Sequence, residues 1–165
     1  MPHKKFGKLD DSIKAGLSFG VTSGVITTLG LIVGLYTGTH SQTVVIGGVI
    51  TIAIVDAMSD AFGMHMSQES RKGNTQSDVW KATISTLIAK FVLAISFLIP
   101  LFLLENGMAA TVSVVWGALL IILLSYVVAK QEHEKPFSII SHHMGIMLAV
   151  IAAAYIAGIF ISTFI

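Results

Sequence analysis

Polar residues are sparse along this chain and apolar ones run in long blocks, so the first pattern is one of spans rather than amphipathic stripes. A helix needs roughly 20 apolar residues to cross a bilayer's hydrocarbon core. Five blocks meet that length, at about 15–36, 43–66, 82–104, 108–129 and 143–164. The blocks predict an all-α integral membrane protein, a single membrane domain over residues 1–165, with the lipid bilayer as its first partner. Polar breaks fall between them: TGTHSQT, SQESRKGNTQSDVW, ENG and KQEHEKPFS.

The charges fix an orientation. Lys4, Lys5, Lys8 and Lys14 precede span one, Arg71, Lys72 and Lys81 lie between spans two and three, and Lys130 and Lys135 lie between spans four and five. The alternate connections and the C-terminal end contain no Lys or Arg. Basic residues stay with cytoplasmic loops, so the N-terminus is expected in the cytoplasm and the C-terminus outside. Composition agrees. The chain is 54% hydrophobic and 12% charged with a formal net charge of +1, against about 25% charged in soluble domains. It has no Cys, which removes disulfides, thiolate zinc sites and iron–sulfur ligation. The polar opening MPHKKFGKLDDSIKAG lacks the short apolar core of a cleavable signal. No nucleic-acid motif is present, and no nucleophile–base arrangement or cofactor motif points to an enzyme.

Against that background span two is anomalous. It carries Asp56 and Asp60, one turn apart and therefore on one helix face. Met58, Met64, His65 and Met66 sit beside them. Ionisable residues inside a bilayer are costly and mark ion or proton pathways. At about 1.5 Å of rise per residue, Asp60 lies roughly 9 Å and Asp56 roughly 15 Å from the cytoplasmic end of the span. Lys90 in span three is expected at the depth of Asp60, so a buried Asp60–Lys90 ion pair is predicted. Asp56 then has no obvious cationic partner. It is protonated, hydrogen-bonded to hydroxyls, or a ligand. Thr22, Ser23, Thr27 and Thr28 of span one reach a comparable depth, although such hydroxyls often bond only to their own helix. Ser23, Thr22 and Thr27 are the pathway candidates among them.

A second polar group is expected at the cytoplasmic ends. Met64, His65, Met66 and Glu69 close span two, Glu132, His133 and Glu134 precede span five, and His142, His143, Met144 and Met147 open it. Imidazole, carboxylate and thioether suit borderline divalent ions. His65, Glu69, His142 and His143 are therefore candidates for a metal entry point, though no spacing among them is a recognised motif and interfacial His and Met also occur without function.

Gly16, Gly20 and Gly24 repeat every fourth residue in span one, followed by Gly30, Gly34 and Gly38. Such strips let helix backbones approach closely, either within the chain or at a homodimer seam. Span five has a similar strip in Gly145, Ala149, Ala152, Ala153 and Gly158, and Pro100 is expected to kink span three near its outer end.

These residues resemble the vacuolar iron transporter family with its nodulin-like members. Span one reads GVTSGVITTLGLIVGL, similar to the family's Gly-x-Asn-Asp-Gly-x-x-Ser/Thr opening. Span two ends DAMSDAFGMHMSQES, similar to the family's Ser-Met-Ala-x-Gly-Glu-x-x-Ser pattern, and FLIPLFLL and GIMLAVIAAAYIAGIFI look like its third and fifth helices. The resemblance implies five spans, a homodimer with the first helices near its axis, and export of ferrous iron or manganese from the cytosol in exchange for protons, the metal being substrate and not a resident cofactor. The departures are specific. Thr22 and Ser23 stand where the family has Asn-Asp, Asp60 stands where it has Met, and Met64 stands where it has Glu. Asp56 is an additional acid, and the connection after span two is too short for the family's cytoplasmic metal-binding extension. The expected function is a divalent-metal transporter, with Asp56 and Asp60 as carriers and Met64 as the soft ligand. A non-transporting scaffold or partner subunit of the same fold, and a proton-coupled carrier of another solute, are the rivals. Compactness and minimal loops suggest a prokaryotic plasma membrane.

Overall fold

A computed structural model of the chain describes residues 10–132 and 134–164, without the side chains of 106, 131 and 132. Lys4, Lys5, Lys8 and His133 lie outside the described residues, as does the side chain of Glu132. The described chain is helical: α1 (Asp11–Thr39), α2 (Gln42–Glu69), α3 (Gln76–Ser96), the short α4 (Leu98–Leu103), α5 (Asn106–Glu132) and α6 (Pro136–Phe164). Five helices are long and apolar enough to cross a membrane, with α3 and α4 counted as one. Each expected span is present, extended by one to seven residues at most of its ends, because polar caps continue the helices beyond the apolar blocks.

The caps are legible locally. Asp10 accepts from Ser12 N–H at 3.1 Å to open α1. His40 closes α1 in the left-handed region, at φ 50°, with its N–H on the Tyr36 carbonyl. Thr75 and Asp78 form a reciprocal capping box at the start of α3. Gly73, at φ 98°, turns the chain between α2 and α3, where a side chain would be strained. The kink expected of Pro100 falls one turn earlier, at Phe97. Proline has no N–H to offer Ser96, four residues back, and its ring crowds that carbonyl. Phe97 N–H turns instead to the Ala94 carbonyl at 3.2 Å. Gln42 at the start of α2 then reaches across to the end of α4, its Nε2 donating to the carbonyls of Leu104 (2.9 Å) and Leu101.

Helix α1 is the hub, packing on α3, α6, α2 and α5. Its glycine strips explain why. A Cβ at Gly20 would lie 2.7 Å from the Thr86 carbonyl, and Gly16 and Gly24 meet the α3 backbone at Ala82 and Lys90 in the same way. Gly34 and Gly38 give the equivalent approach to Ala154 and Ile161 of α6. Both strips are consumed within the chain. Gly16, Gly20 and Gly24 are buried against α3, the within-chain alternative of the two given for this strip. Helix α2 packs on α3 and α1, with Val45, Val49, Ala53, Ala57 and Ala61 buried at every fourth position. Much of the outer surface along the helices is apolar, with Phe62, Leu103, Ile156 and Phe160 among the most exposed side chains. That is the surface of a protein solvated by lipid.

Candidate functional site

The α1–α3 approach carries the site. Gly24 brings α1 close to the α3 backbone at Lys90, where a Cβ would lie 3.2 Å from the Lys90 Cα. Lys90 is 1% exposed, and its stem runs under α1 toward α2. Its ammonium meets three acceptors: Asp56 Oδ2 at 2.6 Å, Ser23 Oγ at 3.0 Å, and Asp60 Oδ2. An ammonium has three hydrogens, so its donors are fully used. Ser23 donates in turn to Asp60 Oδ2 at 2.6 Å. Thr27, one turn on, directs its hydroxyl to Asp56 Oδ2 at 3.1 Å and to its own helix at the Ser23 carbonyl, 2.8 Å away. Three helices thus contribute two acids, one base and two hydroxyls to one cluster.

The predicted Asp60–Lys90 pair is present. The expectation that Asp56 lacks a cationic partner is wrong: Lys90 bridges both acids. Equal depth was the wrong criterion, because a lysine stem is long enough to reach a group one helical turn away. Thr22 is not part of the cluster. Its hydroxyl donates to the Ser18 carbonyl at 2.8 Å, satisfying its own helix. Thr28 is buried with no hydrogen-bond partner for its hydroxyl. Met64 follows Asp60 by one turn, and its sulfur accepts from Gln68 Nε2 at 3.5 Å.

The cluster is asymmetric. Its cation is sealed in, whereas the side chains of Asp56 and Asp60 remain 31% and 21% accessible. Thr27, Ser59 and Gly63 beside them are exposed. One ammonium against two carboxylates gives the group a formal charge of −1 when all three are ionised. The accessible edge of the cluster is therefore acidic, on the side where Thr27 of α1 and Ser59 and Gly63 of α2 are exposed.

The second group of candidates does not assemble. Successive helix residues are set 100° apart, which puts His65 on the far side of α2 from Asp56 and Asp60. There its Nδ1 meets Thr83 Oγ1 at 3.1 Å and its ring packs edge-on to Trp80, with centroids 5.0 Å apart. His143 belongs to the α5–α6 seam, with Nδ1 2.8 Å from Ser125 Oγ. Ser125 also donates to the Ile121 carbonyl of its own helix at 2.6 Å. His142 and Glu69 are exposed. Among the described residues no three His, Asp or Glu side chains gather as a metal-holding group. The expected entry point of His65, Glu69, His142 and His143 is scattered over separate helix faces.

Near the expected cytoplasmic end a separate ion pair ties α1 to α3. Lys81 Nζ lies 2.6 Å from Asp10 Oδ2 and 3.8 Å from Asp78 Oδ1. The Lys81 hydrogen bond, helped by Ser12 N–H, holds the Asp10 carboxyl below the usual aspartate range.

No protein-family model matches the chain, and no curated protein matches it by sequence.

Proposed function

We propose that this chain is a transporter that moves a divalent transition-metal ion, iron or manganese, out of the cytosol past this acidic edge. The observation that carries the reading is the pair Asp56 and Asp60, held partly accessible at mid-helix by Lys90, Ser23 and Thr27. Carboxylates are retained at such depth where an ion or proton must be handled. Hard oxygens from two acids and two hydroxyls, with the Met64 thioether one turn away, form a donor set that a borderline dication accepts. The resemblance to vacuolar iron transporters supports the substrate class, the outward direction and exchange against protons.

The same edge argues for a second copy. Lipid cannot solvate accessible carboxylates, and Asp56, Asp60, Thr27 and Ser59 lie where α1 and α2 leave a polar seam. A homodimer joined across this seam would close the path between two copies of the cluster. The basic loops support a cytoplasmic N-terminal end, and a plasma-membrane location in a prokaryote fits the minimal loops.

The internal salt bridge favours one alternative. Because Lys90 already balances one acid, the cluster would also serve a proton-coupled carrier of another solute, with Asp56 as relay. Flux of Mn²⁺ and Fe²⁺ into proteoliposomes, with and without a proton gradient, tests the assignment. Metal flux in wild type that falls about 10–100-fold in Asp56→Asn, the range known for perturbed metal sites, supports it. Proton movement without metal flux supports the alternative, and neither in wild type leaves the scaffold reading.

A further inference from the structure

We propose that Lys90 is a tethered cation that occupies the ion site when no metal is bound and sets how tightly the site holds metal. The inference rests on the transport reading above and names the residue that controls affinity. Three observations carry it. First, the ammonium sits where a cation would sit, between the Oδ2 atoms of Asp56 and Asp60 and against Ser23 Oγ, with every hydrogen directed at an oxygen. Second, it approaches from the sealed side: Lys90 is 1% exposed while both acids keep an accessible edge. An incoming ion therefore meets the acids first and the ammonium behind them. Third, the lysine stem is held by the α1 backbone, where a Cβ on Gly24 would lie 3.3 Å from Lys90 Cγ. The stem is anchored, so the head can be displaced from the acids yet stays close enough to return.

The electrostatic consequence follows directly. With Lys90 seated, a dication faces a cluster of formal charge −1 whose acids are already engaged. With Lys90 withdrawn, it faces two free carboxylates and a charge of −2. Every bound metal must displace the ammonium, and every departing metal is replaced by it. A site of two acids with no internal cation would hold a dication more firmly and release it more slowly. Lys90 weakens binding and thereby speeds release. An arginine would not do the same, because its wider planar fork grips carboxylates at two points and is harder to displace.

The test is Mn²⁺ binding and Mn²⁺ flux with the full chain in nanodiscs and proteoliposomes, for wild type, Lys90→Met and Lys90→Arg. Lys90→Met is expected to bind Mn²⁺ at least about tenfold more tightly, given the strength of a unit charge at contact distance, and to carry it more slowly. Lys90→Arg is expected to bind no better than wild type. A folded Lys90→Met whose Mn²⁺ affinity is unchanged or weaker overturns the proposal, as does equal tightening in Lys90→Arg. If Lys90→Met does not fold, Lys90→Gln decides, since it removes the charge and keeps a polar head that can still donate to the acids. Mn²⁺ must then raise its melting temperature more than that of wild type, and an equal or smaller rise overturns the proposal. The two levels separate cleanly. Tight binding by Lys90→Met without flux in wild type upholds the role of Lys90 and removes the transport reading. Wild-type flux with unaltered affinity in Lys90→Met does the reverse.

Discussion

Substituting Gly20 by alanine adds one carbon, and the structure says what that carbon meets. The new Cβ would lie 2.7 Å from the Thr86 carbonyl oxygen and 3.0 Å from the Ala89 Cβ, both on α3. Real Cβ atoms essentially never come within 3.0 Å of such neighbours, so α1 and α3 must part by several tenths of an ångström. The obstacle is backbone on a buried helix pair and cannot rotate away. Inserting one methylene into a closed interface of this kind costs about 1–3 kcal/mol. Gly47 and Gly63 are the matched controls: both are helical, and a Cβ at either meets nothing within 4 Å. Alanine there removes a weak helix former and is expected to be neutral or to stabilise by up to about 1 kcal/mol in water-facing terms. Unfolding of the purified protein in mixed micelles, followed by circular dichroism, reads the difference. Because Lys90 follows Ala89 directly on α3, one turn beyond Thr86, Gly20→Ala should also loosen its hold on Asp56 and Asp60. Equal stability of Gly20→Ala and Gly47→Ala would refute the assignment of this strip to the α1–α3 interface. A Gly20→Ala protein of full stability that dissociates from dimer to monomer would return the strip to a dimer seam.

Lys90 should make the two acids interdependent. Asp56→Asn or Asp60→Asn alone leaves the ammonium one carboxylate, whereas the double variant strands it, and breaking a buried pair completely costs about 3–5 kcal/mol. Unfolding should therefore show a double variant clearly less stable than the two single losses combined, and simple additivity would argue against a shared cation. In transport, Asp56→Asn should lower metal flux about 10–100-fold with the helical signal intact, and undiminished flux would remove Asp56 from the path. Met64→Leu should shift preference between Mn²⁺ and Fe²⁺ more than total rate, since a thioether tunes softness and carries no charge; competition flux assays check this. The Asp10–Lys81 tie has a definite pH sign. Its carboxyl is held below the usual range by Lys81, so the stabilisation is present above the ordinary aspartate value and is lost as pH falls through the lower folded one. Asp10→Asn should abolish that acid-side loosening of α1, measured by thermal scans in detergent between neutral and strongly acidic pH.

The sequence by itself determined the spans, because a bilayer imposes one requirement, unbroken apolar length, that can be counted along a chain. It also marked Asp56, Asp60 and Lys90, since an ionisable residue among so many apolar ones is conspicuous without any geometry. It showed that Pro100 would disturb a helix, but not that the break would fall at Phe97, which depends on the carbonyl the proline leaves unpaired. What only the tertiary structure decided is which residue faces which neighbour. The strip of Gly16, Gly20 and Gly24 states that something approaches closely and is silent on whether it is α3 or a second copy. The histidines suggested one metal entry from their shared depth, yet helical rotation sends His65 toward Thr83 and Trp80 and His143 toward Ser125. Lys90 was matched to Asp60 by level, whereas its long stem, laid under α1 at Gly24, carries the charge to Asp56 as well. Depth is a linear quantity and is written in the sequence. Azimuth and side-chain reach depend on how all the helices pack at once.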